Sequence, residues 1–184
     1  MAGNLDSEFS KPRAMERAVQ WLARAQMFLT GIFLVLMMVH VTADVAMKYL
    51  FNAPIVGTLE TVSYYYMVSV VFLPLAMIEL RQEHVVVDLL FRKFPAGLQT
   101  AVYLLGVIVA LIYFGMMTYQ TLIDALKATS EKETVMANFL FYVWPSRWGL
   151  PIGIGSLMLA IAVNAVKVMA TGVIPEPDDQ QEGI

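Results

Sequence analysis

The chain alternates long apolar runs with short polar segments, and its charged residues are concentrated in the polar segments. Four of the runs contain no charged residue at all. About 20 apolar residues cross the hydrocarbon core of a bilayer as a helix, and a charge at the centre costs roughly 2.5–3.5 kcal/mol on insertion scales. Each run therefore predicts a transmembrane helix. The charge-free runs are residues 25–43, 61–78, 94–123 and 148–166.

Together with their flanks, the runs predict spans at residues 21–43, 58–80, 97–125 and 147–169 in a single membrane domain over 1–184. The third run is longer than one upright crossing needs, so it is either tilted or partly interfacial. The first run is too long for a cleaved signal peptide, whose apolar region is about 7–15 residues. We therefore interpret it as a retained span.

A short helix in the membrane interface is predicted after the second span. Apolar residues recur at helical spacing over residues 85–94, opposite Asp88, Arg92 and Lys93, and Pro95 ends the pattern. The remaining polar segments are an N-terminal segment over residues 1–18 and an acidic tail over residues 170–184.

Lysine and arginine in short loops set the orientation of a membrane protein. With the N-terminus inside, eight of these cations face the cytoplasm and four face outward, which favours both termini in the cytoplasm. The eight are Lys11, Arg13, Arg17, Arg24, Arg81, Arg92, Lys93 and Lys167, and the four are Lys48, Lys127, Lys132 and Arg147.

Composition agrees with an all-α integral membrane bundle of four helices. Hydrophobic residues make up 59% of the chain and charged residues 15%, with a mean hydropathy of +0.66, whereas soluble domains have about 45–50% and about 25%. The absence of cysteine excludes disulfide chemistry and thiolate metal sites. A net charge of −3 without a dense basic face argues against nucleic acid as a partner.

The central stretches of the four runs lack ionisable residues, which are the usual mark of a transport site inside a membrane. This pattern argues against a self-contained pump or charged-substrate carrier. Two histidines, His40 and His84, raise the possibility of a bis-histidine haem. They are predicted at opposite faces of a hydrocarbon core about 30 Å thick, which is too far apart for both to ligate one iron. The alternative for His40 is a polar tip at the interface or a hydrogen bond between helices.

Three further groups of residues have a structural and a functional interpretation. Glu60 is either a carboxylate that stabilises the start of the helix or a contact to a partner. It follows a predicted interruption of the helix at Asn52 and Pro54. Gly149 and Gly153 have the spacing of small residues that let helices approach closely, within the bundle or on a partner.

The third group is the densest constellation in the chain. Arg81, His84, Asp88 and Arg92 are spaced by three, four and four residues, which stacks them on one helical face. They form either a solvated charge ladder or a docking strip for another subunit. No metal cluster, serine nucleophile motif or phosphate loop accompanies them.

In order along the chain, these features resemble the small membrane subunit of tripartite periplasmic (TRAP) transporters, the DctQ type. The resemblance is carried by four spans with both ends inside, by Asn52 and Pro54 ahead of Glu60, and by the Arg-x-x-His-x-x-x-Asp motif of residues 81–88. It covers residues 21–169.

The resemblance implies a non-catalytic scaffold subunit without a cofactor of its own, in the cytoplasmic membrane of a bacterium or archaeon. Its implied partners are a large multi-span membrane subunit, a periplasmic substrate-binding protein and membrane lipids. The large subunit would use the sodium gradient to take up an organic acid, such as a C4-dicarboxylate or another carboxylate. The resemblance also favours the interpretation of Arg81, His84, Asp88 and Arg92 as a docking strip for another subunit.

Two other functions are consistent with four apolar helices. One is a membrane electron carrier with haem on His40 or His84, and the other is a self-assembling four-helix carrier or channel. A Soret band would identify the first, and crosslinked homo-oligomers without a large partner would identify the second.

Overall fold

The structure is a computed structural model that describes residues 5–81, 96–136 and 139–171, with side chains over 15–81, 97–136 and 139–169. The interfacial helix predicted after the second span lies outside these ranges, as do His84, Asp88 and Arg92 and the tail beyond residue 171. Predictions on those residues stay predictions.

The described chain is helical apart from short connections and one hairpin. Its first helix includes most of the segment predicted to precede span one, because it begins at Leu5. The elements are α1 (Leu5–Phe51), α2 (Thr58–Glu60), a π-helical turn (Thr61–Tyr66), α3 (Met67–Phe72), α4 (Leu75–Leu80), α5 (Ala96–Glu131), β1 (Thr134–Met136), β2 (Leu140–Tyr142), a 3-10 turn (Ser146–Trp148) and α6 (Gly149–Thr171).

Within the described residues, four helical segments are long and apolar enough to cross a membrane, which confirms the predicted four-helix membrane fold. We call them spans one to four: Met15–Phe51, Thr58–Leu80, Gly97–Glu131 and Ser146–Met169. The helices α1 and α5 contain 47 and 36 residues, or about 70 and 54 Å at the usual rise per residue. Both are therefore longer than a hydrocarbon core of about 30 Å.

Span two is the irregular member of the bundle. It enters through α2 and the π-helical turn, and it breaks between α3 and α4 at Leu73 and Pro74. Proline has no backbone N–H and its ring crowds the preceding turn, which explains the break. The Pro74 carbonyl then accepts hydrogen bonds from the N–H groups of Met77 and Ile78, at 2.9 and 3.1 Å, and the helix resumes.

Span four occupies the centre, in contact with the other three spans. Over its most apolar stretch 56% of the residues are buried, against 11% in span two and none in spans one and three. Ala23, Ala76 and Ala160 from spans one, two and four are completely buried and belong to one packed cluster. Small side chains let helix backbones approach closely, and dispersion contacts then hold them together.

A two-stranded hairpin closes one end of the bundle, here called the hairpin end. Strands β1 and β2 pair antiparallel with Val135 opposite Phe141, a feature that the all-helical prediction lacked. The hairpin is tied to span two, because the Tyr65 hydroxyl donates to the Tyr142 carbonyl at 2.7 Å. It lies at the membrane end opposite the start of α1, which we call the N-terminal end.

An ion pair fixes the base of the hairpin. The Arg147 guanidinium donates from Nη2 and Nε to the two carboxylate oxygens of Glu133, at 2.7 and 3.0 Å. These hydrogen bonds lower the pKa of Glu133 below its ordinary value of 4.5, against a smaller opposing effect of burial. Nearby, the Trp148 indole donates to the Thr129 hydroxyl at 3.0 Å, which ties span four to span three.

Candidate functional site

The predicted break before span two is built around Asn52. Helix α1 ends at Phe51, and Asn52 adopts a left-handed conformation with φ of 51°, which asparagine tolerates better than most residues. Pro54 lies in the irregular segment that follows. The Asp44 carboxylate accepts a hydrogen bond from the Ile55 N–H at 2.6 Å, so the turn is fastened back onto span one.

Glu60 lies in the first turn of span two and is half-buried. A carboxylate at this position is favoured by the positive end of the helix dipole. The turn before it is shaped by Gly57, whose φ of 92° and contact with Phe139 leave no room for a side chain. The geometry is compatible with both interpretations of Glu60, and its role in a subunit contact stays a prediction.

His40 bridges spans one and two, a role that the sequence left open. Its Nδ1 lies 3.3 Å from the Tyr66 hydroxyl, and its Nε2 lies 3.4 Å from the Thr58 hydroxyl. The Tyr66 ring also packs edge-on against the imidazole, with centroids 5.9 Å apart. Both ring nitrogens are thus engaged, and ligation of a haem iron by His40 would require one of these contacts to be given up.

Gly149 and Gly153 both face span two. A Cβ at Gly153 would overlap the backbone carbonyl group of Phe72, and one at Gly149 would come within 3.1 Å of Val68. The two predicted close-approach residues therefore pack inside the bundle, where span four lies directly on the backbone of span two. The other interpretation, packing of these glycines on a partner, stays a prediction.

Arg81 is the only member of the predicted charge ladder within the described residues. It follows Leu80 at the end of span two and is exposed. Its side chain lines a cavity at the N-terminal end of the bundle together with Arg24 of span one. Whether Arg81 acts with His84, Asp88 and Arg92 as a docking strip stays a prediction.

Two polar contacts between spans were not identified from the sequence. Asn164, only 3% exposed, donates from its amide nitrogen to the Glu79 carbonyl and carboxylate, at 3.0 and 3.2 Å. The Lys167 ammonium lies 2.6 Å from the Glu16 carboxylate, which joins spans four and one. A single amide in the long apolar run of residues 148–166 was the available signal for the first contact.

A third polar residue, Gln26 in span one, is buried and was also missed. Its side-chain amide finds no hydrogen-bond partner among the described residues, although its backbone carbonyl accepts from the Thr30 hydroxyl at 2.9 Å. Within the described ranges no three histidine or acidic side chains lie close enough to hold a metal ion. The polar side chains of His40, Asn164 and Lys167 each connect two spans, whereas that of Gln26 does not.

Comparison with known proteins identifies the family. The sequence model described as "Tripartite ATP-independent periplasmic transporters, DctQ component" matches residues 37–171. Neither the curated proteins nor the solved structures include a significant match. The matched region runs from the middle of span one to the end of α6, and it contains the Asn52 turn, Glu60, Arg81 and the close-packed glycines. The chain therefore belongs to the DctQ family, the small membrane subunits of TRAP transporters.

Proposed function

We propose that this chain is a non-catalytic scaffold in the uptake of an organic acid. A large multi-span subunit would carry the acid and the coupling sodium ions, and a periplasmic binding protein would deliver the acid. The chain itself would hold no substrate, ion or cofactor. Membership of the family implies association with the other transporter components, and the division of labour among them is the proposal.

The observation that carries the proposal is the use of polar groups within the bundle. His40, Asn164 and Lys167 each contact a neighbouring span, so these polar groups are engaged in structure. A coupled carrier places ionisable groups around a cavity at the membrane centre. The described polar contacts instead lie where they join helices and hold the bundle in one arrangement.

The exposed faces of spans one and three support the same proposal. None of the residues in their most apolar stretches is buried, and large side chains such as Phe28, Leu105 and Met116 are 63–74% exposed. In a membrane these faces contact lipid or another apolar helix. A scaffold subunit needs such a face for its large partner.

The same proposal places the chain in the cytoplasmic membrane with both termini inside. The surplus of lysine and arginine in the predicted cytoplasmic segments supports this orientation. In that arrangement the hairpin end faces outward, where a binding protein arrives.

Reconstitution into vesicles tests the division of labour. Vesicles with this chain, the large subunit and the binding protein should accumulate a labelled carboxylate when a sodium gradient is applied. Vesicles with this chain alone, or with the other two components alone, should not. A potassium gradient of equal size is the control for sodium coupling.

Two results would contradict the proposal. Uptake by the chain alone would show that it carries its own transport site. Undiminished uptake by the large subunit and the binding protein without it would show that no scaffold is needed.

A further inference from the structure

His40 of span one contacts both ends of the irregular first part of span two. Its Nε2 lies 3.4 Å from the hydroxyl of Thr58, where span two begins, and its Nδ1 lies 3.3 Å from the hydroxyl of Tyr66, the last residue of the π-helical turn. Thr58 is only 8% exposed, so its hydroxyl needs a partner within the protein. One imidazole therefore fastens this whole segment to span one.

The direction of these hydrogen bonds follows from Thr58. A hydroxyl has one hydrogen to donate, and that of Thr58 is directed to the Ile55 carbonyl oxygen at 3.1 Å. Because a carbonyl can only accept, the Thr58 oxygen is left to accept from His40. The hydrogen of the neutral imidazole therefore lies on Nε2, and Nδ1 accepts from the Tyr66 hydroxyl.

A second proton on His40 would disturb this arrangement. A charged imidazole donates at both nitrogens, so the Tyr66 hydroxyl would have to accept from Nδ1 and direct its own hydrogen elsewhere. That hydroxyl has no other hydrogen-bond partner among the described residues. Burying the new charge is also costly unless it is paired, and His40 lies about 6 Å inside the end of the charge-free run at Asp44.

The titratable groups on the surrounding elements are engaged elsewhere or lie on other turns. On span one the Asp44 carboxylate, one turn further on, accepts from the Ile55 N–H at 2.6 Å. On span two Tyr64 and Tyr65 pack against the hairpin ring of Phe141. Within the described ranges no side chain forms an ion pair with the imidazole. The remaining charged groups at this end of spans one, two and four are Lys48, Glu60 and Arg147, the last paired with Glu133.

We propose that His40 is a pH-sensitive joint between spans one and two. In its neutral form it holds Thr58 and Tyr66, and protonation reverses the Tyr66 hydrogen bond and loosens the π-helical turn. Histidine changes its charge between about pH 5 and 8, so mild acidification acts on this joint. π-helical turns of this kind often occur at functional sites. The proposal does not depend on the proposed transport function, because it concerns the purified subunit in a bilayer.

Nitrogen NMR of the full chain in bilayers tests the hydrogen assignment. The histidines are labelled with nitrogen-15, and the His84→Gln variant leaves His40 as the only histidine in the chain. At pH 8 its hydrogen should be on Nε2 and its Nδ1 should be unprotonated. A hydrogen on Nδ1 would overturn the proposal, because the Tyr66 bond would then already run in the direction assigned to the charged form.

Hydrogen exchange of the backbone amides of residues 61–67 tests the loosening. Exchange is measured in bilayers at pH 8 and pH 5.5, and each rate is divided by that of an unstructured peptide at the same pH. Carboxylates with ordinary pKa values of about 4 stay charged at both values. Protection should fall about fivefold at pH 5.5, as expected for the loss of one hydrogen bond, whereas protection of residues 154–163 in span four should not change. Equal protection of residues 61–67 at the two pH values would contradict the joint.

His40→Gln and His84→Gln are the matched variants for this measurement. A glutamine amide donates through nitrogen and accepts through oxygen, so it can replace both contacts of the neutral imidazole without titrating. His40→Gln should therefore keep the protection at pH 8 and abolish its fall at pH 5.5, and His84→Gln should retain the fall. The opposite pattern, or a fall in both variants, would show that another group titrates and would overturn the proposal. Far-UV circular dichroism checks that each variant is folded, and the comparison of the wild type at two pH values needs no variant.

Discussion

Spans three and four are both strongly apolar and continuous, yet they have opposite roles in packing. In span four 56% of the most apolar stretch is buried, and in span three none of it is. Span four presents Gly153 to the backbone of span two, whereas a Cβ at Gly106 of span three would meet nothing within 4 Å. Apolarity therefore identifies which helices cross the membrane and says little about which of them forms the core.

The physical reason is that lipid chains are as apolar as leucine. A buried leucine and a lipid-facing leucine have the same hydropathy, so selection for membrane insertion acts equally on both. Packing of small side chains and shape complementarity distinguish the two. Span three therefore keeps most of its apolar surface available for lipid or for a partner, whereas span four keeps only a narrow exposed strip that includes Ile152 and Leu159.

The largest expected difference is between two leucine truncations. Leu157→Ala in span four should lower the free energy of unfolding by about 2–5 kcal/mol, because Leu157 is buried and its loss leaves a cavity. Leu105→Ala in span three should change it by less than about 0.5 kcal/mol, because Leu105 is 63% exposed. Unfolding of the purified subunit in mixed micelles, followed by circular dichroism, measures both. Equal losses would contradict the assignment of span four as the core.

The glycines should give effects of opposite sign. Gly153→Ala forces a methyl group into the Phe72 carbonyl, and such overpacking costs about 1–3 kcal/mol. Gly106→Ala meets open space and should be neutral or stabilising by up to about 1 kcal/mol, the gain in helix propensity. The same unfolding assay compares them, and a destabilised Gly106→Ala variant would mean that span three packs closely after all.

The smallest effect should come from the ion pair below the hairpin. Glu133→Gln removes the pair with Arg147, and because both side chains are partly exposed the loss should be under about 1 kcal/mol. The folded pKa of Glu133 is lowered, so its stabilisation is present above the ordinary value of 4.5 and is lost as the pH falls through the folded value. The difference between wild type and variant should therefore be constant from pH 7 to 5 and shrink below that range. A difference that grew on acidification would contradict the pairing.

Several features of the fold follow from local sequence. The four spans follow from the charge-free runs, because the membrane excludes charge wherever the chain crosses it. The break before span two follows from Asn52 and Pro54, although the left-handed asparagine ends the helix and the proline only follows it. The irregular path of span two likewise follows from a local residue, Pro74.

Contacts between spans could not be predicted from local sequence. His40 was open to ligation or to a hydrogen bond until Thr58 and Tyr66 were found beside it. Asn164 and Glu79 are 85 residues apart in the chain, and no local pattern links them. The hairpin was missed because its two strands have three residues each, too few for an alternating pattern.

The sequence alone thus determined that this protein is a four-helix membrane subunit, and its motif pattern indicated the DctQ family. It did so because insertion energy and helix termination depend on residues close together in the chain. Only the tertiary structure decided that span four is the core, that the glycines face span two, and that Arg24 and Arg81 line one cavity. Those outcomes depend on which helix faces meet, and in an apolar solvent hydropathy does not distinguish a face that meets a helix from one that meets lipid.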